Sequence, residues 1–180
     1  EGITRFIERK LRLKVNKAKS KVAPSRECKF LGYTIGGKGQ LRISKESKAR
    51  MTDRLKALTK RNQGREFDAV IREINAFLRG WLNYYGLASA KVWLTETEAW
   101  LRRRMRCYRL KQCKRRFAIA KFLMKSGLPE WRAWLLAMSR KGWYRMSVSP
   151  QAAEAMSNKW FAEMGLIPLV SPVGRNRVVP

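Results

Sequence analysis

Apolar residues recur along most of this chain at helical spacing. Ile3, Phe6, Ile7 and Leu11 fall on one face with Arg5, Glu8, Arg9 and Lys10 between them, so residues 1–12 read as an amphipathic helix that continues from an upstream segment. The chain is therefore expected to begin mid-domain. Leu13 to Val15 allow a short strand. Between Lys29 and Ile35 the period becomes two, placing Leu31, Tyr33 and Ile35 on one pleated face before Gly36-Gly37 turns the chain into Gln40 to Ile43. A β-hairpin is predicted there.

Helices dominate from Ser44 onward. Ser44 is the predicted N-cap of a helix with Glu46 in its first turn and Met51, Leu55 and Leu58 as its apolar stripe, ended by Asn62-Gln63-Gly64. Phe67, Val70, Ile71, Ile74, Phe77, Leu78, Trp81, Leu82 and Tyr85 then keep a 3.6-residue period until Gly86, the strongest helix signal in the sequence and the predicted centre of the core. A third helix is predicted to start after Ser89 or Thr95, where Thr95 and Glu98 match a capping box, and to run through Trp100, Leu101, Met105 and Tyr108. Phe117 to Met124 are again helix-compatible, Gly127 and Pro129 interrupt, and a short helix carries Trp131, Trp134 and Leu135 up to Gly142. Ser149-Pro150 reads as N-cap and N1 of a last helix with Ala152, Ala155, Met156, Trp160 and Phe161 buried and Gly165 as its stop. A loose tail is expected from Pro168 onward. The predicted fold is mainly α with a short N-terminal β element, divided into residues 1–43, 44–166 and 167–180.

Composition sharpens this picture. The chain has 180 residues, 45% hydrophobic, with seven Trp and seven Phe, enough to bury a core. It also carries a formal net charge of +28 and no histidine, which excludes imidazole acid–base chemistry and His-containing zinc or HNH-type sites. Thirteen acidic residues include no Asp-Asp pair; Glu96 and Glu98, two apart, point to different sides of a helix, so no two-metal constellation is predicted. Cys28, Cys107 and Cys113 lack CxxC spacing, so neither a zinc site nor a disulfide framework is expected. With no long apolar run and no signal-peptide pattern, neither membrane span nor export is expected, and the expected compartment is the cytoplasm.

Charge is concentrated where the third helix ends. Arg102, Arg103, Arg104, Arg106, Arg109, Lys111, Lys114, Arg115, Arg116, Lys121 and Lys125 occur without one intervening acid. A solvated helix laced with salt bridges would need Glu or Asp three or four residues away, and only Glu98 serves, toward Arg102. Phosphate contact is the favoured reading, with Arg102 through Arg116 as the candidate nucleic-acid-binding residues. Among the aromatics, Trp81 and Tyr85 lie in the apolar stripe and read as core, whereas Tyr84 sits off it and is the candidate for stacking on a base. Trp100, Trp131, Trp134, Trp143 and Trp160 read as a tryptophan-rich core.

Three strings carry a resemblance: Phe30-Leu31-Gly32-Tyr33, then Phe77-Leu78-Arg79-Gly80-Trp81-Leu82-Asn83-Tyr84-Tyr85-Gly86, then Trp100-Leu101-Arg102-Arg103-Arg104-Met105-Arg106-Cys107. In order and spacing they resemble the carboxy-terminal part of a group II intron reverse transcriptase/maturase, over about residues 1–166. The resemblance implies that residues 1–43 end a polymerase palm, with the stretch Asn16 to Val22 closing it and Phe30, Leu31 and Gly32 near the primer terminus. Residues 44–166 would be the helical thumb, or maturase domain X. Its implied partners are group II intron RNA, whose splicing it assists, and in a full-length relative an RNA/DNA template-primer. The family's Tyr-x-Asp-Asp is missing here, so this chain alone is not expected to synthesise DNA; no cofactor is assigned to it, and magnesium would belong to upstream carboxylates of a full-length polymerase. Many members read Trp-Lys-Gln-Trp-Lys where this chain has Leu110-Lys111-Gln112-Cys113-Lys114. The rival reading is a basic nucleic-acid packaging or ribosomal-type RNA-binding protein; a cationic protein acting on membranes ranks last. The sequence does not decide the oligomeric state.

Overall fold

The structure, a computed structural model, describes residues 2–16, 20, 23–24, 27–37 and 39–170. Most of the stretch Asn16 to Val22, and the tail from residue 171, lie outside the described residues. Nine helices and three short strands make up the described residues, so the fold is mainly α, with the small sheet before the long helices.

Helix α1 (Gly2–Arg9) buries none of its residues. Leu13 to Val15 are not a strand. Strands β1 (Lys29–Phe30), β2 (Tyr33–Ile35) and β3 (Leu41–Ile43) form an antiparallel sheet in sequence order. The segment 29–35, expected as one strand, is itself a hairpin. Leu31 and Gly32 have φ 49° and 79°, the left-handed pair that a two-residue hairpin turn requires, and this removes Leu31 from the face it was predicted to share with Tyr33 and Ile35.

Helix α2 (Lys45–Leu58) starts where Ser44 caps it, its Oγ accepting from the Ser47 N–H at 3.2 Å. The apolar stripe of α3 (Phe67–Tyr85) buries Phe67, Val70, Ile71, Ile74, Leu78 and Leu82. Helix α4 (Lys91–Gln112) begins four residues before Thr95. The capping box is thus not formed: Thr95 donates to the Lys91 carbonyl as an interior helix residue, and Glu98 is committed to Arg102. Helices α5 (Arg116–Lys125), α6 (Glu130–Ala137) and the one-turn α7 (Trp143–Met146) follow. The last predicted helix is two. α8 (Pro150–Ala155), capped by Ser149, stops at Met156, and Ser157 caps α9 (Asn158–Glu163) by accepting from the Trp160 N–H at 3.3 Å. A second capping serine thus turns a continuous stripe into a bend. Gly165, at φ 81°, ends α9 with the paired bonds of a Schellman motif, Leu166 N–H to Phe161 O and Gly165 N–H to Ala162 O.

One apolar cluster runs from Ile43 through α2 to α9 and ends at Leu169. Pro168 to Val170 are not loose: Leu169 is 1% exposed, its N–H donates to Glu98 Oε2, and the Ile167 N–H donates to Asn75 Oδ1. The tryptophan-rich core is also only partly formed. Trp81, Trp93, Trp100, Trp134, Trp143 and Trp160 pack half-buried on the cluster, whereas Trp131 is 69% exposed on the outer side of α6. No helix of the described residues is long and apolar enough to cross a membrane.

Candidate nucleic-acid interface

The arginines of α4 are drawn inward because α4 is packed on several sides. Its own burial set includes Leu94, Leu101, Met105, Tyr108 and Leu110, and each neighbouring arginine finds a partner within the protein. Arg102 pairs with Glu98, whose other oxygen accepts from Leu169. Arg103 lies over the Tyr144 ring, 4.1 Å from its centroid. Arg104 donates from Nε to Thr59 Oγ1 at 2.7 Å and from Nη2 to the Lys56 and Thr59 carbonyls, so it satisfies the carboxyl end of α2. Arg106 does the same for α8, donating to the Met156 carbonyl at 3.0 Å with Phe161 beneath it. Arg109 covers Phe122 and Phe67 and bonds Gln112. Lys111 donates to Asn62, and Tyr108 and Gln112 both donate to the Arg65 carbonyl, which fastens the 59–66 loop to α4. Burial lowers the pKa of Arg104 and Arg106, the latter helped by nearby Arg102; both stay charged near neutrality.

Beyond Gln112 the cations turn outward. Lys114, at φ 58°, reverses the chain between α4 and α5, and Lys114, Arg115, Arg116, Lys121 and Lys125 are exposed and form no ion pair among the described residues. Three of them crowd the amino terminus of α5, which has no acidic residue in its first turn and no side-chain cap. That end of a helix already carries partial positive charge from its unpaired N–H groups, so cations placed there raise a potential that only an anion relieves. Phe117, 65% exposed, stands among them.

Tyr84 and the Phe30-Leu31-Gly32 turn meet at the carboxyl end of α3. The Tyr84 hydroxyl donates to the Leu31 carbonyl at 2.9 Å, and the Tyr33 hydroxyl donates to the Tyr84 carbonyl. The ring of Tyr84 therefore stays half in solvent while its polar end ties the hairpin to α3. Phe30 and Leu31 remain exposed and Gly32 is partly covered. No periodicity signals these roles, because the partners of Arg104, Arg106 and Tyr84 lie 45 or more residues away in sequence.

Among the described residues no group of three His, Cys, Asp or Glu side chains could hold a metal ion. The sequence model of one protein family, described as group II intron, maturase-specific domain, matches residues 48–126, from the first turn of α2 to the end of α5. No curated protein matches the chain.

Proposed function

We propose, from the match of residues 48–126 to the model of the group II intron maturase-specific domain, that the chain binds group II intron RNA and assists its splicing by favouring the competent RNA fold. The observation that carries this reading is the outward cluster of Lys114, Arg115, Arg116, Lys121 and Lys125 within the matched segment, without an ion pair among the described residues and with its first three members at the amino terminus of α5. RNA phosphates supply the missing charge there. In a full-length relative the same surface would face a template-primer. Glu98 is already engaged by Arg102 and Leu169, so the Glu96/Glu98 pair does not fit the magnesium such a polymerase uses. No step of synthesis is assigned to it.

The test is a salt titration of intron-RNA affinity. Arg115→Glu/Arg116→Glu is expected to weaken binding and to lower the log–log salt slope by about one for each phosphate the variant no longer neutralises, with thermal stability unchanged. An unrelated duplex RNA that displaces intron RNA at equal concentration and moderate salt would instead identify a non-selective packaging protein.

A further inference from the structure

A groove of about 1030 Å³ opens between α6, α7 and the start of α8, almost wholly outside the matched segment. Its volume is at the top of the range of small-ligand sites. Its walls include the apolar side chains of Leu135, Met138 and Val148, the Tyr144 ring, and the cations Arg103, Lys141 and Arg145. None of its lining residues is acidic. Among the described residues the side chains of Lys141 and Arg145 take no hydrogen-bond or ion-pair partner, and the Nε of Arg103 is shielded from solvent without a hydrogen bond. Tyr144 is 56% exposed although Arg103 covers part of it. On α6, Trp131, Leu135 and Met138 fall at i, i+4 and i+7 and are all exposed, so an apolar stripe leads from a bare indole into the groove.

We propose that this groove and stripe bind an unpaired stretch of RNA, with bases stacking on Trp131 and extending the Arg103–Tyr144 stack, and with phosphates on Lys141 and Arg145. The proposal rests on the RNA-binding reading above and adds the class of RNA and a second contact surface. Charge complementarity chooses the occupant. A second copy of this chain would bring Arg103, Lys141 and Arg145 against their own like, on a molecule of net charge +28. An aromatic face beside unpaired cations, set in a concave wall, is what single-stranded nucleic acid uses: every base has a face to stack, and its phosphates sit within reach of the cations. The cluster at the amino terminus of α5 lacks this apolar groove and suits the backbone of paired RNA.

The two surfaces separate in a binding experiment on the full chain. Fluorescence anisotropy is measured with a labelled unpaired RNA oligonucleotide of mixed sequence and with a labelled RNA duplex. Trp131→Ala, at an exposed position that leaves folding intact, and Tyr144→Leu, checked by its thermal transition, are each expected to weaken oligonucleotide binding about tenfold while duplex affinity stays as in the parent. Lys141→Glu/Arg145→Glu is expected to lower the salt slope for the oligonucleotide. Parent-like oligonucleotide affinity in folded Trp131→Ala and Tyr144→Leu overturns the proposal, as does an equal weakening for duplex. So does a finding that these variants change only self-association or capture by anionic vesicles. A parent chain that fails to bind group II intron RNA overturns the maturase reading itself; one that binds intron RNA with a silent groove overturns this inference alone.

Discussion

Arginine carries two opposite duties within twenty residues of this chain, and what separates them is the distance to a carbonyl or a ring. Arg104 and Arg106 reach the carboxyl ends of α2 and α8, where unpaired carbonyls and the negative end of the helix dipole take the place of an acid. Arg115 and Arg116 are exposed and take no ion-pair partner among the described residues. Scarcity of acids therefore identifies an arginine-rich segment without identifying which arginines are free, and no local pattern of charge distinguishes the two sets. The expected consequence is a split phenotype. Arg104→Ala strips Thr59 and the end of α2 of their donor and should cost about 1–3 kcal/mol in urea denaturation, with Arg104→Lys a poor rescue because an ammonium cannot span three acceptors. Once stability is restored by working at lower temperature, RNA affinity of Arg104→Ala should match the parent, whereas Arg115→Glu/Arg116→Glu should show the reverse. Burial raises the thiol pKa of Cys113, so it sits beside Arg109 as a neutral apolar filler.

At the scale of elements, what was legible followed from caps and periods, and what was missed followed from backbone left-handedness and repeated caps. Ser44, the stripe of α3, Ser149-Pro150 and Gly165 each announce a boundary by a local mechanism and each boundary is present. The turn at Leu31-Gly32 was hidden because leucine rarely accepts a positive φ; its strain is offset by three bonds that reach across the fold. Tyr84 holds the Leu31 carbonyl, while Ser47 Oγ at 3.2 Å and the Ser44 N–H at 2.9 Å hold that of Gly32. A Cβ on Gly32 would collide with the Tyr85 hydroxyl and lie 2.8 Å from Ser47 Oγ. Gly32→Ala is thus expected to destabilise the sheet by about 1–3 kcal/mol through both strain and steric overlap. Hydrogen exchange should locate the damage: amides of β1 to β3 lose protection and those of α3 keep it, because the hairpin opens as its own unit. Uniform loss of protection would instead place the turn within the cooperative core.

For the whole molecule, the extent of the maturase-specific match and the extent of the folding unit differ. The match ends at residue 126, yet the apolar cluster continues without a break through Ala133, Leu136, Met146, Ala152, Met156, Phe161 and Leu169. The joints are specific. Phe67 of α3 packs its ring 5.6 Å from that of Trp160, Arg106 of α4 holds the Met156 carbonyl, Asn75 donates to the Gly165 carbonyl at 2.7 Å, and Glu98 accepts from Leu169. Removing residues 127–180 would take Trp160 from Phe67, uncover the end of α5 at Leu123, and strip Glu98 and Asn75 of their partners in the 165–169 segment. A large exposed apolar face costs several kcal/mol against a total stability of about 5–15 kcal/mol for a domain. A chain cut after Ser126 should therefore retain helical far-ultraviolet dichroism but lose a sharp thermal transition and bind a hydrophobic dye. A sharp, parent-like transition in the shorter chain would mean that α6 to α9 are an appendage, and the groove between them would then have to be stable on its own packing.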